Sequence, residues 1–136
     1  MIKLSLLLIG LVAMVACGAT NAFAVKAVTI VKPVNGAEVS GPVEVCMKVF
    51  GVTVEPAKKG VNDGTGHHHL LVDVDFPVDL SRPIGKDAQH VHMGDGSTCK
   101  TLELGTGHHT IRALFAQGNH VPYSPPVSDT IMINVK

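Results

Sequence analysis

Tryptophan is absent, and one tyrosine and four phenylalanines bring aromatic residues to only 4% of the 136-residue chain. Any core is therefore aliphatic. Neither sign of charge dominates, since 11 Lys+Arg stand against 11 Asp+Glu. That balance excludes an extended basic surface for nucleic acid. Arginine is confined to Arg82 and Arg112, too few for an anion-binding cluster. The three cysteines, Cys17, Cys46 and Cys99, make no CxxC pair, which argues against thioredoxin-type chemistry. There is no GxSxG elbow, glycine-rich phosphate loop, HExxH helix or EF-hand loop. No apolar stretch has helical spacing, and no repeat or low-complexity tract is present.

The N-terminus has its own logic. Lys3, the apolar run Leu4 to Ala16 and the small-residue ending Ala22-Phe23-Ala24 read as a secretory signal peptide over residues 1–24. Removing it takes one of the 11 basic groups and leaves a single domain, Val25 to Lys136, with a net charge of −1. A competing reading takes Met14-Val15-Ala16-Cys17 as a lipoprotein signal, with Cys17 becoming a lipid anchor to the membrane. In either case the apolar run is short for a membrane span. Export to the periplasm or beyond leaves Cys46 and Cys99 as an even pair in an oxidising compartment, and a disulfide is expected. It would close a loop of roughly fifty residues and contribute about 4 kcal/mol in the chain-entropy treatment.

Beyond Val25 the chain is a string of short β-branched runs broken by Gly, Pro, Asn and Asp. The runs predict strands over Val28 to Lys32, Val43 to Val54 with a bend at Gly51, His67 to Val74, Lys100 to Leu104, His109 to Ala116 and Thr130 to Val135. Such a set suits an all-β, immunoglobulin-like antiparallel sandwich. A small barrel or cupin-like fold is the alternative, although no Glu follows the HxH pair as in cupins. Two long irregular connections, Phe76 to Asp95 and Gln117 to Ser128, are rich in Pro, Gly and His, and long loops on a rigid scaffold tend to carry function.

What the chain has in excess is histidine, eight in all. In the run Gly66 to Asp75 the two-residue period of a strand puts His68, Leu70, Val72 and Val74 on one, core-directed face. His67, His69, Leu71, Asp73 and Asp75 fall on the other, polar face. His67 and His69, about 7 Å apart along a strand, form a half-site for one cation. His90 and His92 make a second HxH pair, and His120 follows the Gly118-Asn119 turn. With Asp73 or Asp95 as available carboxylates, these five imidazoles suit Zn²⁺ or Cu²⁺. Met47 and Met93 are soft donors for Cu(I), but methionine in a β protein is ordinarily core filler. His68 and His109 share parity with apolar neighbours and read as hydrogen-bonded core or edge residues, whereas His108 reads as solvated. Asp95-Gly96 reads as a turn rather than a calcium loop. Asp73, Asp75 and Asp79 have no spacing that marks a glycosidase pair.

Four segments together carry a resemblance: Gly66-His67-His68-His69-Leu70-Leu71-Val72-Asp73, Pro83 to Gly96, His109 to Ala116, and Gly118-Asn119-His120-Val121-Pro122. Over roughly Val61 to Val135 the chain resembles a family of small bacterial exported domains, domain of unknown function 4399. The resemblance implies an exported β-sandwich and makes His67, His68, His69, His90, His92, His109 and His120 positions of the family pattern. It implies no activity. Many members lack the two cysteines, so the Cys46–Cys99 bridge rests on the redox argument alone.

The resulting expectation is an exported, non-catalytic module in which His67, His69, His90, His92 and His120 capture or buffer copper or zinc, losing the ion below about pH 6. One rival is a structural or protein-interaction domain of the cell envelope, with the same histidines tying loops to the sheet. Another is a metal-dependent hydrolase or oxidase, for which no general base stands beside the cluster.

Overall fold

The computed structural model describes residues 25–136, so the signal-peptide and Cys17-anchor readings lie outside the described residues. Among the described residues nine strands run in chain order: β1 Ala27–Lys32, β2 Glu38–Val39, β3 Val43–Phe50, β4 Thr53–Val54, β5 Thr65–Val72, β6 His90–His92, β7 Cys99–Leu102, β8 Gly107–Ala116 and β9 Ser128–Val135. A single 3-10 turn, Ala57–Lys59, follows β4.

The strands form an immunoglobulin-like sandwich. One sheet has the order β1-β3-β7, and the other runs β2-β9-β8-β5-β4 with β6 beside β5. The main ladders are antiparallel, and the short pairings of β2 with β9 and β4 with β5 are parallel. Alternation dictates the packing. Val28 and Ile30 of β1, and Val43, Val45 and Met47 of β3, face Leu70 and Val72 of β5, Ile111, Ala113 and Phe115 of β8, and Ile131, Ile133 and Val135 of β9. Each large aliphatic side chain buried there contributes about 1.5–3 kcal/mol. Met47 and Met93 lie in this core, as filler. Cys46 and Cys99 are register partners across β3 and β7 and form a disulfide that spans 53 residues.

Two expectations need correction. The run Val43 to Val54 is not one strand: Gly51, at φ 68°, breaks it, and a Cβ there would collide with the Val25 carbonyl. More consequentially, the His67, His69, Leu71 face of β5 is not solvated. Every residue from Gly66 to Val72 is buried. The connection after β5 folds back over the outer face, where Ile84 packs with Leu71, Leu114 and Ala116, flanked by Val74 and Phe76. A strand covered on both faces is buried along its length, and in β5 three of the seven buried residues are histidines. β5 ends at Val72 because Asp73 turns to φ 57°.

Candidate metal centre

Four histidines converge on the outer face of the larger sheet, at the end where β5 begins. His67 and His69 sit at i and i+2 on β5, and so project from the same side of a strand held by β8, where Ala116 and Leu114 are their register partners. His92 enters from β6 as the register partner of His69. His120 comes from the Gln117–Val121 turn, which is closed by His120 N–H donating to the Gln117 carbonyl (2.8 Å) and Gln117 N–H to the Val121 carbonyl (3.0 Å). The Ile84 N–H donates to the His120 carbonyl at 2.9 Å, tying this turn to the covering loop.

The geometry is tight. His69 Nε2 lies 3.0 Å from His67 Nε2, which lies 3.1 Å from His120 Nδ1. One ring nitrogen from each of His67, His69, His92 and His120 falls within 4.8 Å of all the others. Ligands at the usual zinc–imidazole distance on a tetrahedron are spaced about 3.3 Å apart. His67 and His69 are 0% and 1% exposed, and His92 and His120 are half-buried.

Burial, and then the neighbouring imidazoles, hold His67 down to about 4 and His69 down to about 3. Burial, then His120 and Lys86, also lowers His92, with Asp95 opposing. All three rings are therefore neutral at pH 7 and present lone pairs, the form that binds metal. Hydrogen bonding does not account for the whole cluster. The Nδ1 atoms of His67 and His69 and Nε2 of His92 are buried without a partner among the described residues. Native interiors rarely leave such groups unpaired.

His90 is not brought into this group. On β6 it is the register partner of Leu71, one strand period beyond His92 and away from His67, and its Nδ1 contacts Asp87 Oδ1 at 2.9 Å. The carboxylates are engaged elsewhere too. Asp73 Oδ2 contacts His109 Nδ1 at 2.7 Å while its Oδ1 accepts the Thr110 N–H at 2.8 Å. Asp95 accepts from the Ser97 N–H and hydroxyl in a turn at Gly96, φ 83°. His109 also reaches the Gly105 carbonyl at 2.8 Å and is raised above its ordinary value, first by Asp73 and then by that carbonyl. With an acceptor on each ring nitrogen, His109 is fully bonded only as an imidazolium. It is the bonded edge residue that parity predicts. His68 departs from expectation, for neither of its nitrogens has a partner; it lies in the core against Phe115, held down to about 4 by burial. His108 is exposed, as its parity requires.

Residues without donor atoms also shape the site, and parity alone does not reveal them. The His92 ring lies directly over Gly94, where a Cβ would occupy the position of the imidazole. Gly66 and Gly118 likewise allow the Ala116 and Gly60 carbonyls to approach. His120 takes φ 67°, a conformation that histidine tolerates better than most residues, and this turns its ring to the cluster. The sequence signal for these features is a glycine next to each histidine segment.

No curated protein matches the sequence. The sequence model of one family, described as Domain of unknown function (DUF4399), matches residues 45–136, which is most of the described chain, and the protein belongs to that family.

Proposed function

We propose that the protein is an exported module that binds a transition metal, copper or zinc, for capture or buffering rather than catalysis. The observation that carries the reading is the convergence of His67, His69, His92 and His120, with one nitrogen of each within 4.8 Å of the rest. Three segments far apart in sequence supply them, and a strained His120 backbone and a Gly94 that leaves room for the His92 ring favour that meeting point. His90, also expected as a ligand, serves in this reading to pin β6 through Asp87 rather than to coordinate. The disulfide supports an oxidising, extracytoplasmic location. No helix among the described residues is long and apolar enough to cross a membrane.

The test is calorimetric titration of the purified, untagged protein with copper and zinc at pH 7, beside His69→Ala and His120→Asn. One saturable site, weakened at least tenfold in both variants, supports the reading. No binding by a folded protein overturns it. The rival, an envelope interaction domain with architectural histidines, draws on the two nitrogen contacts of 3.0 and 3.1 Å. It requires that the same variants lose stability without any ion.

A further inference from the structure

We infer that the four-histidine site selects copper(I) over copper(II) and zinc(II); this rests on the metal-binding reading above and specifies its cargo. The first observation is charge. All four donors are uncharged ring nitrogens, with no carboxylate or thiolate among them. Nor does a second layer of acids compensate, because His67 Nδ1 and His69 Nδ1 meet no acceptor. The nearby carboxylates are held by other partners: Asp73 by His109, Asp87 by His90 and Asp95 by Ser97. Of these only Asp95 acts on a clustered ring, His92, and Lys86 acts on it in the opposite sense, so little offsets an ion's charge in a setting where His67 and His69 are almost wholly inaccessible. The cost of desolvating an ion grows with the square of its charge, so a divalent ion costs about four times as much as a monovalent one.

Shape is the second observation. The six ring-centroid separations among His67, His69, His92 and His120 are 4.8, 5.0, 5.0, 5.1, 5.8 and 4.7 Å. A square arrangement would make two of the six longer by about 40%, whereas a tetrahedron makes all six alike. Copper(II) prefers tetragonal sites, and this one resists flattening, since His67 and His69 are fixed on a strand buried on both faces. Met47 and Met93 are committed to the core, and no sulfur is among the four donors, so charge and shape set the preference.

The experiment uses the purified, untagged protein. Copper(I) affinity is measured without oxygen by competition with a chromophoric copper(I) chelator, and zinc(II) and copper(II) affinities are measured by competition with chelators of known strength. Copper(I) is expected to bind at least about 100-fold more tightly than zinc(II). A 1,000-fold preference over copper(II), relative to the chelator reference, would raise the copper potential by about 180 mV. His120→Asp adds one negative charge to the donors while keeping a residue that tolerates a positive φ. It should move the preference at least tenfold towards zinc(II). Zinc(II) or copper(II) binding as tightly as copper(I) overturns the selectivity and leaves the metal-binding reading standing. No saturable binding of any of the three ions by the folded protein overturns both.

Discussion

Acid should unfold the metal-free protein well above the pH at which carboxylates titrate. His67, His68 and His69 are neutral in the fold, with burial holding them at about 4, 4 and 3, but protonate near 6.5 once unfolded. A group depressed by folding adds stability above its unfolded value and loses it as pH falls towards its folded value. The loss is about 1.4 kcal/mol per pH unit for each histidine. From pH 6.5, where the unfolded groups are already half protonated, to pH 5 this amounts to about 1.5–2 kcal/mol each and about 5 kcal/mol for the three. Domains of this size have only about 5–15 kcal/mol in total. His109 cannot offset the loss. Its value is raised, so its contribution is complete below pH 6.5 and declines only on the alkaline side. Urea unfolding followed by circular dichroism at pH 7.5, 6.5, 5.5 and 5.0, with a chelator present, reads the slope directly. Uptake of about three protons on unfolding is expected near pH 5.5. A loss under about 1 kcal/mol between pH 6.5 and 5 would refute the reasoning. His68→Leu should lower the uptake by one proton and hold or raise stability at pH 7, because it removes two unpaired buried nitrogens.

Gly94→Ala should keep the fold by circular dichroism but weaken ion binding at least tenfold in titration, since the added methyl displaces the His92 ring. Asp73→Asn suits the same positive φ but removes the carboxylate from His109; a loss of about 1–2 kcal/mol is expected in urea unfolding at pH 6, shrinking at higher pH as His109 deprotonates. Replacing both Cys46 and Cys99 with Ser should cost about 2–4 kcal/mol, read in the same assay.

Strand positions and the sandwich were legible because the Val, Ile and Thr runs alternate and are punctuated by Gly and Pro; β1, β8 and β9 depart from the expected bounds by one or two residues at one end. Parity correctly placed His67 and His69 on one side of β5. It misjudged what that side meets, because a period of two reports which residues share a face but not whether a loop later covers it. Ile84 and Phe76, in the apolar cover, stand among Pro, Asp and Gly with no periodicity of their own, and Val74, which alternation assigns to the core-directed face, joins the cover because the strand ends at Asp73, φ 57°. The separation of His90 from His92 was hidden for a related reason. HxH on a short edge strand fixes a shared side, but only the register against β5, with His92 beside His69 and His90 beside Leu71, decides which ring reaches the cluster. Asp73 looked free for a metal because nothing local to β5 announces a partner 36 residues away.

The Cys46–Cys99 bridge touches none of the four clustered imidazoles, yet it bears on how they find one another. His67, His69 and His92 all fall inside the 53-residue ring that it closes, and His120 alone falls outside. In the oxidised but still disordered chain, three of the four rings are thus confined to a small volume before any strand has paired. Part of the entropy needed to assemble the site is spent when the thiols are oxidised, and only the final turn, carrying His120, must be recruited from open chain.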